Sequence, residues 1–506
     1  MNSNLLRRYI PLAVWVVAVL TILYIPLKII GLGFLPMDDA LRHAAKAVSG
    51  KSWQDILVMR SDFPIDPSPG WQHILAWVNH ASWVQNWQDG PAEALVIFSS
   101  VSLMLLVTLC ALPWLRRPEA WLGALAAAAV FAPACTTRLM RGRPYILTDF
   151  VVMTILLLWS RPEESRDSLS PKDSPRRMAL IFTPLLVAAS AWIHGSWYML
   201  VLPGAAILFA GLWRSAIAYG VCWLAGSFLG CALTGHPWDF MFQSVRHMFG
   251  VFGNFVVNRQ LEPEFYPSDG ETPAVLLVIA LLLWRAVASD LNPRRLCNPI
   301  FIMMLLGWLL GLKMRRFWWD YGTPAFMLWV AFELQDQLEN RLIFDSAKRL
   351  LITLALAAGA FWGFTSDRDG RWTENLTAEF LTPDNPALAG WLPEPGGIIY
   401  NSDMNVFFQT FYKNPAAPWR YALGFEPGLM LPENLAVLRK AQWNFGDSRA
   451  YEPWVAKMRP EDRLISHATG GARPNLPELE WNYAVTEIWI GRLPRPGNNS
   501  STPAAR

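Results

Sequence analysis

Apolar runs recur along most of this chain, and they restrict its fold more than any other feature. They lie at Tyr9 to about Gly33 and near 91–113, 119–135, 144–160, 178–193, 196–213, 216–234, 273–288, 299–312, 321–334 and 348–364. A hydrocarbon layer of about 30 Å is crossed by roughly 20 helical residues, and backbone polar groups inside it must be paired within the segment. The pattern predicts an α-helical multi-pass membrane protein with about eleven transmembrane helices. Several runs are short for such a layer. No small-residue cleavage site follows the first run, so it reads as a retained signal anchor.

Composition agrees and removes other classes. Charged residues make up 16% of the 506, and mean hydropathy is +0.23; soluble proteins carry roughly 25% charged residues. The 27 tryptophans suit interfacial belts. A net charge of +3 gives no reason to expect a nucleic-acid partner. The five cysteines (110, 135, 222, 231 and 297) fall in or near the apolar runs without metal-type spacing, so neither a disulfide framework nor a metal site is expected.

Lysine and arginine set the orientation. With the N-terminus cytoplasmic, the inner connections hold Arg7/Arg8, Arg116/Arg117, Arg161 to Arg177, Arg214, Arg294/Arg295 and Arg341 to Arg349. An odd number of spans then places the C-terminus on the outer face of a cytoplasmic membrane. The first outer loop, residues 34–90, faces the same way.

That loop opens on Asp38 and Asp39, only a few residues beyond the first run. A short helix is expected over Ala40 to Val48, with Asp39 able to cap it. A second helix is expected from Ser52 to Met59, followed by extended turns at Pro64, Pro67 and Pro69. The plain alternative for the acidic pair is a helix cap plus a surface charge.

Other outer segments carry arginines where the orientation rule disfavours them. Arg138, Arg141 and Arg143 stand in TTRLMRGRPY; Lys313, Arg315 and Arg316 stand in LKMRRFWWDY; Arg246 and Arg259 lie in the polar stretch 235–272. Snorkelling to lipid headgroups is one account of them. Phosphate is the other, because a guanidinium grips it bidentately, and it makes Arg141, Arg143, Arg315 and Arg316 candidate phosphate ligands. His194 in WIHGSW and the carboxylates Glu262 and Glu264 in LEPEFY are candidate substrate-binding residues.

From about Thr365 the composition turns soluble. GGIIYNS reads as a strand, Asp403 to Tyr412 as a helix, WRYALGF as a strand, Glu433 to Trp443 as a helix and YAVTEIWIGRL as a closing strand. Residues 365–506 are expected to form a small α/β outer domain with a disordered tail, beyond a membrane domain of residues 1–364.

The acidic pair just outside the first span resembles the GT-C superfamily of membrane glycosyltransferases, many of which carry Asp-Glu-Ala where this chain has Asp38-Asp39-Ala40. RGRPYILT, WIHGSWYMLVLP and KMRRFWWDYGTP look like segments of large bacterial GT-C-like proteins. The resemblance implies a sugar donor carried on polyprenyl phosphate and a glycan, lipid or protein acceptor on the outer face. It implies Asp38 as general base, with Asp39 capping or orienting. The superfamily has members with and without a divalent metal, so the resemblance allows a divalent metal without demanding one. Trp318-Trp319-Asp320 spells a sequon-reading motif of oligosaccharyltransferases, but at a span end, which argues against transfer to an Asn sequon. An arginine-lined cavity would also suit a polyprenyl-linked glycolipid flippase, and a non-catalytic component of envelope polysaccharide assembly is a third reading.

Overall fold

A computed structural model describes residues 3–62, 65–160, 174–252, 263–268, 271–288, 296–340, 347–444, 447–467, 471–485 and 487–495. Glu262, Arg259, Arg294, Arg295, Arg341, the loop 161–173 and the tail from 496 lie outside the described residues.

Each of the eleven apolar runs falls on a helix. Helix α1 (Ser3–Ile30) leads into the first loop, which holds α2 (Asp39–Ser49), the one-turn α3 (Trp53–Ile56), α4 (Pro69–Asn79) and the one-turn α5 (Ser82–Gln85). The bundle continues with α6 (Pro91–Leu109), α7 (Pro118–Phe131), α8 (Pro133–Leu139), α9 (Ile146–Trp159), α10 (Ser174–His194), α11 (Val201–Phe209) and α12 (Trp213–Ala232). Helix α13 (Pro237–Phe252) precedes α14 (Thr272–Val287), α15 (Pro299–Gly311), α16 (Thr323–Asn340) and α17 (Ala347–Thr365). Among the described residues five helices are long and apolar enough to cross a bilayer, or six if the bent α7–α8 pair is one span. Several others, such as α9, α14 and α15, are apolar but shorter.

Two expectations for the first loop are corrected. The helix expected over Ser52 to Met59 stops at Ile56, because the next residues pair elsewhere: Val58 N donates to Tyr421 O at 2.9 Å and Arg60 N to Leu429 O at 2.9 Å. Pro69 does not hold an extended turn. It occupies the first turn of α4, where a missing N–H costs nothing.

The C-terminal region forms a five-stranded sheet in the order β2-β1-β3-β5-β4, from β1 (Ile398–Asn401), β2 (Arg420–Tyr421), β3 (Arg463–His467), β4 (Glu480–Val485) and β5 (Ile488–Arg492). Strands β2, β1 and β3 are parallel, and β5 and β4 complete the sheet antiparallel. Helices α18 (Met404–Lys413) and α19 (Pro432–Trp443) match the expected ones. The single closing strand expected at YAVTEIWIGRL is two, β4 and β5, folded back at Glu487 (φ 62°), and β3 was not foreseen.

The end of the bundle remote from the sheet is tied by buried ion pairs. Arg349 donates to Glu119 at 2.6 Å, and Arg285 meets Glu333 at 2.7 Å and Asp336 at 2.6 Å. Packing elsewhere relies on small residues. Gly226 and Gly230 of α12 lie against α10, and a Cβ at Gly226 would stand 2.5 Å from Pro184 O and 2.8 Å from Val187 Cβ. Gly226→Val should therefore lower the melting temperature in detergent, at a cost of about 1–3 kcal/mol. Gly220→Ala, where a Cβ meets nothing within 4 Å, should leave it unchanged or raise it.

Candidate functional site

Asp38 is the N-cap of α2, its side chain accepting from Ala40 N at 3.5 Å. Asp39 is the first residue of the helix, and its next turn supplies Arg42 and His43 at i+3 and i+4. Arg42 Nε donates to Asp39 Oδ1, and His43 Nε2 lies 3.4 Å from Asp39 Oδ2. Asp39 and Arg42 line a cavity of about 220 Å³; Asp38 does not. The expected cap is thus corrected: Asp38 caps α2, and Asp39 lines the cavity. The helix begins one residue earlier than its alanines suggest, so the first acid caps and the second turns to the cavity.

Asp38 instead faces the segment between α8 and α9. Its Oδ2 lies 3.2 Å from Arg143 Nη2 and 3.7 Å from Arg141 Nε. Gly142 permits this approach: it has φ +65°, and a Cβ there would meet Ser100 Oγ at 2.8 Å and Ala40 Cβ at 3.3 Å.

Helix α7 bends through 110° into α8, whose last turn carries the buried Arg138. Arg138 Nη1 donates to Glu264 Oε1 at 2.8 Å, and its Nη2 donates to Asp320 Oδ1 at 2.8 Å. Its guanidinium lies over the Tyr145 ring, 3.9 Å from the centroid. Arg143 Nη1 reaches the same Glu264 oxygen at 2.7 Å. Arg316 Nε donates to Asp320 Oδ2 at 3.0 Å, and its Nη1 lies 4.0 Å from Glu264 Oε2. Asp320 sits on a π-helical turn (Trp318–Gly322), a form that often marks functional sites. Asp38, Arg143, Glu264, Arg138, Asp320 and Arg316 thus form one continuous chain of alternating charge.

Burial would raise the Glu264 carboxyl, but Arg138, Arg143 and Arg316 outweigh it and hold the group well below the usual carboxylate range. At Asp39 burial acts the same way and is outweighed by Arg42, then His43 and Arg143, so this carboxyl too is held well below its ordinary value.

Of the candidates from the sequence, Asp39, Arg143, Arg316, His194 and Glu264 line the cavity. His194 Nδ1 lies 2.8 Å from Ser196 Oγ. Arg141 is 38% exposed beside Asp38 and outside the lining. Arg315 is also outside it, with Nη2 3.5 Å from Pro267 O and its guanidinium over Trp319. The four arginines expected around one cavity therefore reduce to two that line it. Sequence reasoning missed Arg42 and Asp320 and left Arg138 out of the site. Helical spacing was the available signal: Arg42 follows Asp39 by three residues, and Asp320 follows Arg316 by four.

The C-terminal region roofs the cavity through Met404, Phe408, Phe425, Glu426 and Leu429. Arg42 packs flat on the Phe425 ring at 3.9 Å, joining α2 to that roof.

No protein-family model and no curated protein sequence matches the chain. Solved structures do. ArnT from Cupriavidus metallidurans bound to undecaprenyl phosphate superposes with a TM-score of 0.52 at 14% identity, covering 96% of this chain and 97% of that chain. Its apo state gives 0.50 at 14% identity, covering 90% and 94%. The Archaeoglobus fulgidus oligosaccharyltransferase in the apo form gives 0.47 at 13% identity, covering 91% and 70%. The chain has a GT-C-like fold and is a multi-pass membrane protein.

The network makes a pH-dependent prediction. A carboxyl whose native pKa is depressed adds stability that is full above its unfolded pKa, about 4.3 for Glu, and is lost as pH falls toward the native value. Glu264→Gln should cost about 3 kcal/mol near pH 7, since it leaves buried guanidinium groups short of an acceptor. The gap between wild type and variant should close progressively below about pH 4. Thermal denaturation of both proteins across pH measures it; a gap independent of pH contradicts the assignment.

Proposed function

We propose that the protein is a membrane glycosyltransferase that moves a sugar from a polyprenyl-phosphate donor to an acceptor hydroxyl on the outer face of a cytoplasmic membrane. In this reading about eleven helices span the bilayer. The N-terminus is cytoplasmic, and the C-terminal α/β region stands outside. One observation carries the proposal: a single cavity holds an ionised carboxylate, Asp39, beside guanidinium groups that still have donors to give. Arg42 Nη1 and Arg143 Nε are buried without an acceptor among the described residues. Such donors suit the oxygens of a phosphate. The ArnT likeness supports the same reading, because that protein is seen with undecaprenyl phosphate bound.

In the reaction the acceptor oxygen attacks the anomeric carbon while its proton passes to Asp39. The bond from that carbon to the phosphate oxygen breaks, and the polyprenyl phosphate leaves with the electron pair. Arg143, Arg316 and Arg42 stabilise the charge that develops on it. Direct attack inverts the anomeric centre. Arg42 has a second role. An arriving phosphate draws its positive charge away from Asp39, so the carboxylate gains basicity when the donor is in place. Asp38, engaged with Arg143 and the helix N-terminus, holds the arginine wall against α2.

Asp39→Asn in folded, purified protein should cut turnover of a polyprenyl-phosphate sugar by roughly 10²–10⁴-fold. Asp38→Asn should weaken it far less. Full turnover by Asp39→Asn removes the base assignment, full turnover by an Asp39→Asn/Arg143→Gln double variant removes the site, and no transfer by the wild type removes the enzyme reading.

A further inference from the structure

Behind Asp39 lies a buried polar chain that the proposed reaction does not use. His43 is fully buried, and Gln72 of α4 is 9% exposed. Gln72 Nε2 lies 2.6 Å from His43 Nδ1, while His43 Nε2 faces Asp39 Oδ2 at 3.4 Å and makes no hydrogen bond among the described residues. An ionised carboxylate only accepts, so the ring nitrogen facing it must carry the hydrogen. A neutral ring then has a bare Nδ1, and the group meeting it must donate. Gln72 satisfies this by presenting its amide NH₂, which leaves its Oε1 without a partner. The order of donors thus runs one way, from Gln72 through His43 to Asp39. Burial, with Arg42 alongside, pushes the imidazole down and keeps it neutral, against the opposing pull of Asp39 and of Asp66 in the loop before α4. His194 of α10 also lies within electrostatic reach of His43.

We propose that Gln72 is a positioning residue that locks His43 in its Nε2–H tautomer, so that the ring presents an N–H to the Oδ2 of Asp39. Arg42 already holds Oδ1. With a donor facing each oxygen, the carboxylate is held toward the cavity and its ionised form is favoured. The inference rests on Asp39 as the reacting carboxylate, but its first test does not.

The full-length protein labelled with ¹⁵N-histidine in detergent reports which ring nitrogen is protonated, and His43→Gln assigns the signal. His43 should be Nε2–H from about pH 5 to pH 8, the range over which a free imidazole titrates. Gln72→Leu should release the tautomer. Gln72→Glu, which keeps the shape and offers an acceptor, should turn it toward Nδ1–H or protonate the ring. With a polyprenyl-phosphate sugar as probe, Gln72→Leu should lower kcat by roughly tenfold at unchanged KM. It should also move the acidic limb of the rate profile upward by about one pH unit. His43→Gln, which retains an N–H donor, should keep more activity than His43→Phe. A wild-type Nδ1–H signal, or an unchanged signal in both Gln72 variants, overturns the proposal. If the wild type transfers no sugar, the glycosyltransferase reading fails, while the nitrogen spectra still decide the tautomer lock.

Discussion

The site depends on a carboxylate shared among guanidinium groups. Glu264 lies between Arg138, Arg143 and Arg316, which come from the last turn of α8, the segment that follows it and the short turn just before the π-helical segment. Isolated in a dry setting, any of these charges would be costly. Arranged alternately with Asp38 and Asp320, they neutralise one another and tie four stretches of chain to one point. The bend between α7 and α8 and the π-helical turn depart from regular helix at this end of the bundle. Irregular backbone in a membrane protein survives where it is buried in protein or lines a cavity: the π-helical turn brings Asp320 to the cavity, and the bend brings Arg138 against it from behind.

Much of the fold could be read because apolar runs report burial in lipid directly. The runs locate helices α1, α6, α7, α9–α12 and α14–α17. They do not report thickness crossed, and α9, α14 and α15 are shorter than a full span. Local signals failed where distant chain decided the outcome. Nothing near Leu57 announces that its neighbours hydrogen-bond to Tyr421 and Leu429. The β4–β5 turn carries Glu487 at positive φ rather than Gly or Asn, so one strand was read where two exist. Strand β3 is buried on both faces for most of its length and shows no alternation.

The acidic pair was found and its register was missed by one. Composition cannot separate a capping Asp from a first-turn Asp when both precede alanines. Arg42 and His43, one turn on, carry the missing information, since only Asp39 has partners at both i+3 and i+4. Asp320 was set aside because the motif it completes stands at a span end. Its pairing with Arg316 and Arg138 is what places it.

The extended residues 57–60 lie beside β2 at the outer edge of the sheet, Leu57 bridging parallel to Tyr421 and Met59 antiparallel to Met430. An open edge invites pairing with a foreign strand, and here part of the first loop occupies it. The same contact sets an order of assembly. The loop bearing Asp39 is made well before the strand and the Phe425 ring that brace it. The site is therefore completed by chain far downstream of the acidic loop, and a product truncated before β2 would carry that loop without the roof that closes over it.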